Sequence, residues 1–575
     1  MNNGKVSHEG TKTRRNDLLE QHFDTAFAAP DGIKKLRELI LTLAMQGKLV
    51  EQDPNDPPAS ELLKEIEADK KRQVKAGKIK KPKSLPAIDQ SDAAYVLPQS
   101  WTWTRLGTIG NIFNGNSINA REKETKYAGA NGLPYIATKD VGYGLDALDY
   151  KNGIYIPESE DKFKIAHQGA VLICAEGGSA GKKCGITEQD ICFGNKLFAN
   201  DLFGGIPSKF ILYLYLSPVF RESFNAAMTG IIGGVSIAKF LELPVPLPPL
   251  KEQHRIVARI DQLMTRCDEL EKLCEEREEK RLSVHAATIN QLLDTPNGSA
   301  WDFIQQHFGA LYTVKENVAE LRKAILQLAV MGRLSEQKTN DESVSALLTN
   351  VHDERQRLKI RKTKDLVNSP KPLGYEIPEQ WKWVCLDDVL IFGPTNGFSP
   401  RAVDYETNIR SLTLSATTSG TFKGEYSKFI DADISNDSDL WLCDGDILVQ
   451  RGNTIEYVGV SAVYRGNPGF YVYPDLMMKL RVSSHMDTDY VYYAMSSVPA
   501  REYLRALASG TSGTMPKINQ KTLKSLPIPV PPLEEQNRIV VKIKKLMDLC
   551  EILDQRIDAA TNKQVELLNA VMAQV

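Results

Sequence analysis

The chain has 575 residues, too many for one hydrophobic core, and its 42% hydrophobic and 8% aromatic content predicts several globular domains that each bury a core. Lysine and arginine (71) nearly cancel aspartate and glutamate (73), and the net charge of −2 excludes nonspecific coating of nucleic acid except through local basic surfaces. No run of 18 apolar residues occurs and the N-terminus (Asn2, Asn3, Lys5, His8, Glu9) has no apolar stretch, so the reading is no membrane span, no secretion signal and a cytoplasmic location.

Residues 1–30 lack periodicity and read as a loose, flexible tail. A helical region over 31–97 follows, with one helix from about Ile33 to Gln46, stopped by Gly47, and a second from about Ser60 to Ala76 with Ser60 as N-cap. Lys70 to Lys83 then holds eight basic residues in fourteen, and Pro82 and Pro86 end any helix. Over 98–250 the texture changes to short strand-like runs broken by glycines: Tyr135-Ile136-Ala137, Ala170 to Cys174, and Ile191-Cys192-Phe193. A helix is expected over Ser208 to Met228, and the proline-rich run Leu243 to Pro249 must be extended. The next region, 251–376, holds a long helix (251–293) and a helix pair (301–362). A second mixed, mainly β domain covers 377–532, with strands near Asp446 to Gln450 and Val458 to Val463, a helix near Tyr490 to Ala508 and a rod from Leu526 to Pro532. A last long helix fills 533–575.

This order is a repeat. Leu36 to Leu49 returns as Leu321 to Leu334 (offset 285), Pro98-Gln99-Ser100-Trp101-Thr102-Trp103 as Pro378-Glu379-Gln380-Trp381-Lys382-Trp383 (offset 280), and Pro248 to Val257 as Pro531 to Val540 (offset 283). Between these markers, residues 104–230 and 384–510 share little, so a constant frame carries two variable inserts. Two like units can obey a two-fold axis, and duplex DNA has matching symmetry. The long helices carry heptad seams in one phase: Ile256, Ile260, Leu263, Cys267, Leu270 and Cys274, and Ile539, Ile543, Leu546, Cys550, Leu553, Ile557 and onward. They are expected to pair antiparallel as a rigid spacer, about 60 Å long at 1.5 Å per residue. The N-terminal helices lack a preceding long helix and the C-terminal helix lacks a following pair, so the two ends together would rebuild the central block and should lie close.

Catalytic chemistry finds little support. Glu176-Gly177-Gly178-Ser179-Ala180-Gly181-Lys182-Lys183 resembles a phosphate loop but has Glu176 for the first glycine and Lys183 for the magnesium-binding hydroxyl; a turn between strands is the better reading. Asn55-Asp56-Pro57-Pro58-Ala59 resembles an adenine methyltransferase segment but has Ala59 where an aromatic stacks on the flipped base, and reads as a helix-leading loop. No Asp followed by Glu-x-Lys accompanies Asp444 and Asp446, and the eight cysteines include no two-residue spacing for zinc or redox chemistry. What remains is a binding inventory: Arg121, Lys123, Lys139, Lys182, Lys183 and Lys239 in the first β domain; Arg401, Arg410, Lys423, Arg451, Lys517 and Lys521 in the second. Basic tracts at matching positions, including Lys80, Lys81 and Lys83 in one copy and Arg361, Lys362 and Lys364 in the other, are candidates for phosphate.

At the Trp-x-Trp openings (Trp101, Trp103; Trp381, Trp383) and the Pro-Pro-Leu-x-Glu-Gln-x-Arg-Ile closings (Pro248 to Ile256; Pro531 to Ile539), the chain resembles the specificity subunits of type I restriction-modification systems. Asp444 to Val449 resembles that family's G-D-[IV]-L strand; Gln168 to Ile173 does too, with Ala170 departing. The resemblance runs from about 33 to 575, and the N-terminal block with Leu36 to Leu49 is similar to the type IB branch. It implies an α+β fold in which two mixed, mainly β target recognition domains alternate with helical regions forming an antiparallel coiled-coil spacer, in a pseudo-two-fold circular arrangement. Each domain would read one half of a split, asymmetric site on double-stranded DNA. The resemblance also implies no catalysis and no cofactor in this chain: two modification subunits, docked on the helices, would bind S-adenosylmethionine and methylate adenine, and two restriction subunits would use ATP and magnesium. The rival readings are a self-contained adenine-N6 DNA methyltransferase, which lacks its motifs here, and a scaffold that never touches DNA.

Overall fold

The computed structural model describes residues 29–89, 92–229, 233–294, 299–363, 366, 370–509 and 515–574; the expected tail, up to residue 28, lies outside them, as does Lys364. The chain divides into two units, Met1–Glu276 with Thr561–Val575 and Arg277–Ala560.

In the first unit, helix Gly32–Met45 follows the expected apolar stripe. It ends before Gly47, whose φ of 69° is left-handed and where a Cβ would stand 2.4 Å from Pro98 Cγ and 3.2 Å from Trp101 Cζ2. Glycine both makes the turn and lets the domain's opening motif close over it. The second helix, Ala59–Lys75, corrects the expected serine cap: Pro58 is the N-cap, Ser60 lies inside the first turn, and the Ala59 N–H donates to the Ser100 carbonyl (2.9 Å).

The strands of the first β domain are β1 (Thr102–Arg105), β2 (Gly110–Asn114), β3 (Leu133–Ile136), β4 (Tyr155–Ile156), β5 (Ile165–Ala166), β6 (Val171–Cys174), β7 (Cys184–Ile186), β8 (Ile191–Phe193), β9 (Leu197–Leu202) and β10 (Pro244–Leu247). They form an antiparallel sheet in the order β2-β9-β6-β7 and a second sheet, β4-β3-β8-β5, whose β3–β8 pair is parallel. β1 and β10 pair separately, Trp103 opposite Pro246, so the proline-rich run is a strand and the two repeat markers flanking the domain are joined. The single helix expected over Ser208 to Met228 is two, Ser208–Leu216 and Pro218–Ala227. Ser217 is extended (ψ 145°) ahead of Pro218, which has no N–H for a continuing helix, and the Ser217 hydroxyl accepts from Phe220 N.

The second unit repeats this plan. Helices Lys315–Val330 and Val344–Arg357 precede β11 (Lys382–Cys385), β12 (Leu390–Asn396), β13 (Arg410–Leu412), β14 (Ser427–Phe429), β15 (Ile447–Gln450), β16 (Ser461–Val463), β17 (Tyr471–Val472), β18 (Met477–Val482) and β19 (Pro527–Val530). The sheets are β12-β18-β15-β16, β14-β13-β17 and the pair β11-β19, with Trp383 opposite Pro529 as Trp103 faces Pro246. The expected strand from Val458 begins only at Ser461, because Gly459 at φ 78° folds the chain back to donate to the Gln450 carbonyl. The helix expected over Tyr490 to Ala508 also breaks, at Ser497, into Thr488–Ser496 and Val498–Ala506, with Pro499 in the new first turn.

The long helices are Leu250–Asp294 and Leu533–Gln574. In the first unit the seam residues Ile256, Ile260 and Cys267 are buried in one core with Ile40, Leu41, Ala44 and Met45, Leu263 packs at its edge, and Leu270 is half-buried. In the second, Ile539, Ile543 and Cys550 share a core with Ala324, Ile325, Ala329 and Val330, while Leu546, Leu553 and Ile557 are partly buried against it. Each helix pair therefore covers its own stretch of seam. Arg37 bridges to Asp268 and Glu271, both at 2.7 Å, and its repeat partner Arg322 to Asp554 (2.7 Å) and Glu551 (3.4 Å). Within the first unit the two chain ends meet as expected: Lys35 Nζ donates to Asn569 Oδ1 (2.5 Å), and Ala29 is buried with Leu568.

Candidate nucleic-acid interface

The duplicated motifs that identify the frame serve to fasten each β domain to its long helix. The Trp101 indole N–H donates to Glu252 Oε2 (3.0 Å), Gln52 Nε2 donates to Glu252 Oε1 (2.5 Å), and Gln253 Nε2 donates to the Pro248 carbonyl (2.9 Å). In the second unit Trp381 donates to Glu535 Oε2 (3.0 Å), Gln337 to Glu535 Oε1 (2.7 Å) and Gln536 to the Pro531 carbonyl (2.9 Å). Arg255 pairs with Asp56 (2.7 Å) and Arg538 with Asp341 (2.5 Å), which explains the arginine of the closing motif and the helix-leading Asn-Asp-Pro-Pro loop. Burial raises the carboxyl pKa of Glu252 and Glu535, and their tryptophan and glutamine donors oppose that rise. The four motifs hold domains in place and leave the loops free to differ.

Those loops gather at one place in each domain. In the first, β3 runs into a 3₁₀ turn, Thr138–Asp140, and β6 runs into the glycine-rich loop ending at Lys183. Tyr143 bridges to Lys183, Glu176 bridges to Gly234, and the Gly177 N–H donates to the Gly233 carbonyl (2.8 Å). Lys183 Nζ donates to the Thr138 carbonyl (3.2 Å) and stands 5.0 Å from the Tyr143 ring centroid, while Lys182 Nζ donates to Gly178 (3.2 Å). Three of the expected basic residues, Lys139, Lys182 and Lys183, thus lie on the loops around Tyr143, an aromatic that is 57% exposed. The glycine-rich stretch is the turn between strands that the sequence predicts, and it holds no helix N-terminus.

The second domain builds the same junction with different residues. β13 leads to the turn Leu414–Ala416, and β15 leads through Gly452 to a loop bearing Ile455 and Tyr457, which are 43% and 39% exposed. Gly452 bridges to Lys517, as Glu176 does to Gly234. Arg451 Nε donates to the Ile518 carbonyl (3.3 Å), bringing the expected Arg451 and Lys517 together. Gln450, fully buried, ties the loops: its Nε2 donates to Leu414 O (3.0 Å), Thr417 Oγ1 (3.0 Å) and Thr418 Oγ1 (3.2 Å), and its Oε1 accepts from Asn453 Nδ2 (2.7 Å). Sequence reasoning missed Gln450 and Tyr143. The latter, between Gly142 and Gly144, carried a readable sign in the glycines that lift it from the surface.

The remaining candidates are dispersed. Arg121 lies on the short helix Ala120–Glu122, Lys239 on Ile237–Leu241 ahead of β10, and Lys521 on Gln520–Lys524 ahead of β19, all exposed. Arg401 is exposed, whereas Arg410 is half-buried with its guanidinium 4.5 Å from the centre of the Phe429 ring. Lys80, Lys81 and Lys83 are exposed; Lys81 and Lys83 border a groove of about 850 Å³ with Lys70, Lys71 and Trp103. Burial, and then the charge of Lys80, lowers the amine pKa of Lys164. Arg361 is exposed and Lys362 pairs with Asp388 (2.8 Å). All eight cysteines are free.

The helices of the second unit also carry an open apolar groove of about 690 Å³, bordered by Trp301, Phe308, Leu328, Leu546, Leu549 and Ile552. Trp301, Leu549 and Ile552 are exposed, each above 40%. Among the described residues no helix is long and apolar enough to cross a membrane.

The profile of the family described as "Type I restriction modification DNA specificity domain" matches residues 98–279 and 378–562, the two β domains each with the start of its long helix. The chain is 31% identical to the type I restriction enzyme EcoEI specificity subunit of Escherichia coli, over 94% of this chain and 93% of the relative. It is 32% identical to the EcoAI specificity subunit of the same organism, again over 94% and 93%. A solved HsdS subunit from Thermoanaerobacter tengcongensis aligns with a TM-score of 0.41 and 18% identity, covering 84% of this chain and 98% of that one.

Proposed function

The chain belongs to the specificity subunits of type I restriction-modification systems, and from that premise we propose that each β domain reads one half of a split, asymmetric DNA site through its loop junction. The observation that carries this reading is the contrast between frame and loops. The same tryptophan, glutamine and arginine latch bonds recur in both units, whereas the junctions they position differ in nearly every side chain, which is the arrangement one scaffold needs to present two different readers. Lys139, Lys182 and Lys183 in one domain and Arg451 and Lys517 in the other supply the cations, with Tyr143 and Tyr457 as exposed planar groups beside them. Arginine and amide side chains reach base edges, and lysines hold phosphates. The more scattered candidates, Lys80, Lys81, Lys83, Arg121, Lys239, Arg361, Lys362, Lys364, Arg401, Arg410 and Lys521, are assigned to backbone contacts.

Stiffened by the helix pairs that cover their seams, the long helices set the count of unread base pairs between half-sites. The chain carries out no catalysis and holds no cofactor. Two modification subunits bring S-adenosylmethionine, and two restriction subunits bring ATP and magnesium, in the cytoplasm where the genome is. Their docking on the helices is supported by the apolar groove of the second unit, whose floor residues Leu321, Ile325, Leu546 and Cys550 recur as Leu36, Ile40, Leu263 and Cys267. The test is an exchange of residues 104–240 for another family member's insert, followed by genome-wide mapping of methylated adenines. One half-site is expected to change, with the other half-site and the gap intact; a change in both halves overturns the assignment.

A further inference from the structure

The two units part company where the second helix of each pair meets its β domain. In the second unit Asp387, 3% exposed, gathers two cations: Lys524 Nζ stands 3.4 Å from its Oδ1 and Arg355 Nη2 3.8 Å from its Oδ2, and the Thr363 hydroxyl donates to Oδ1 (3.2 Å). Arg355 also donates to the Asp387 and Leu390 carbonyls, so its guanidinium is engaged inside the fold. The repeat offsets carry Asp387 to Gly107, Lys524 to Leu241 and Arg355 to Lys70. The placement holds in space, since a Cβ on Gly107 would stand 2.6 Å from Leu241 Cδ2. The first unit has therefore lost the acid and one cation, and kept the other cation.

The Lys70 side chain is only 12% exposed, and the carboxylate beside it, Glu67, lies 4.0 Å away and 3.8 Å from Lys71. Burial lowers the Lys70 amine pKa, and Glu67 opposes that fall only in part. Lys70 borders the groove of about 850 Å³ together with Lys71, Lys75, Lys81 and Lys83, and Glu67 is the sole carboxylate among its bordering residues. Arg105, on the same wall, is taken by Asp92 (2.5 Å) and by the Pro86, Ala87 and Glu242 carbonyls. Five ammonium groups thus share one carboxylate, an arrangement that an anion from outside the chain would complete. One short helix links this groove to the loop junction. Helix Ile237–Leu241 starts three residues after Gly234, which bridges to Glu176; it carries the exposed Lys239 and ends at Leu241, against Gly107 in the groove wall.

We propose that this groove is a phosphate-binding track for the DNA that the first domain reads, open in the first unit and filled in the second by Asp387 and its own cations. The proposal rests on the reading of the junctions as DNA readers and adds that the two halves grip the backbone unequally. Lys70, Lys81 and Lys83 hold phosphates flanking the first half-site, and Lys239 lies on the way to them. Lysines in such a row take up phosphodiester charge and read no base, so the track adds affinity to the first half-site without adding sequence information.

DNA binding by the assembled complex, followed across salt concentration, tests it. A Lys70→Met, Lys81→Ala, Lys83→Ala variant is expected to bind every sequence more weakly and to lower the salt slope by about three, with the methylated half-sites unchanged. Lys81→Ala with Lys83→Ala, both at exposed positions, covers the case in which the Lys70 substitution prevents folding, and should lower the slope by about two. Gly107→Asp with Leu241→Lys, which transplants the second unit's pair beside Lys70, should lower it by about one with every lysine of the groove in place. A slope unchanged by the lysine variants overturns the proposal; the junction reading survives that result if Lys183→Ala lowers the slope, and fails with it if Lys183→Ala does not. Sodium tripolyphosphate titrated into the complex without DNA separates the other source of phosphate. Saturable binding that the lysine variants lose supports the site when the DNA slope falls too; with an unchanged DNA slope it marks a site for free polyphosphate and overturns the assignment to DNA.

Discussion

The two β domains share strand order but differ at their centres. In the second, Asp446 lies fully buried and binds Arg481 through Nε (2.7 Å) and Nη2 (3.1 Å), with Lys479 Nζ 3.7 Å away; that ammonium donates to the Trp441 carbonyl (2.8 Å) and faces the Phe392 ring. Strand register identifies the matching positions in the first domain. Val171 pairs with Asn200 and Leu172 with Ala199, as Ile447 pairs with Leu480 and Leu448 with Lys479, so Ala170, Ala199 and Asp201 occupy the places of Asp446, Lys479 and Arg481. The first domain has thus replaced acid and lysine together. A buried charge is tolerable only with its partners, and a set of three interlocked charges changes as a set. The exception is Asp201, a carboxylate where the second domain has Arg481, with His167 rather than a lysine or arginine beside it. Burial pushes its pKa up to about 6, and its Oδ1 has no hydrogen-bond partner.

The sharpest way to break this comparison is Asp446→Ala. It strands a buried ammonium and should cost about 3–5 kcal/mol in the second domain, read from exchange of β15 and β18 amides. Replacing Asp446, Lys479 and Arg481 together by alanine should recover much of that loss, and a single variant costing under about 1 kcal/mol would show the triad to be decorative. Next come the latches. Trp101→Phe and Trp381→Phe each leave an oxygen of a buried glutamate short of a donor and should cost about 1–3 kcal/mol, similar in the two units; a large inequality would mean the frames are duplicated in sequence but not in energy. Third, Lys183→Ala and Lys517→Ala should each lower the salt slope of DNA binding by the assembled complex by about one. A slope unchanged in either removes that loop from the interface. The smallest effect concerns Asp201. Its folded pKa lies above the unfolded 3.8, so its protonated form favours the fold below about pH 4, and stability declines as pH rises from about 4 to 6. Asp201→Asn should flatten that decline in a thermal melt and add about 1 kcal/mol at pH 7.

The repeat, the proline-rich strands and the long helices were legible because each is written locally, in fixed spacing, missing N–H groups or a seam. The helix breaks at Ser217 and Ser497 were written too, in Pro218 and Pro499, but an apolar stripe running through both helices masked them. The interface was legible only in part. Nothing in the chain order says that Lys183 reaches the Thr138 carbonyl, next to Lys139, or that Arg451 reaches the Ile518 carbonyl, next to Lys517, because loops more than 40 residues apart are brought together by sheet pairing. Nor can sequence separate Arg410, laid on Phe429, from an arginine standing free. Ser60 is not the cap because the helix starts one residue earlier, at Ala59, whose N–H is taken by the Ser100 carbonyl 41 residues on.

The prolines of β10 and β19 fall on alternate residues, Pro244 and Pro246, then Pro527 and Pro529. Amide hydrogens alternate in direction along a strand, so Val245 and Leu247, or Ile528 and Val530, supply the donors that hold the inner ladder. On the far side of β10 and β19 the prolines present carbonyls and no N–H, and the buried Pro529 carbonyl accepts from the Tyr490 hydroxyl (2.9 Å). With no amide hydrogen on that side, the edge can be buried inside its own domain without stranding a backbone donor.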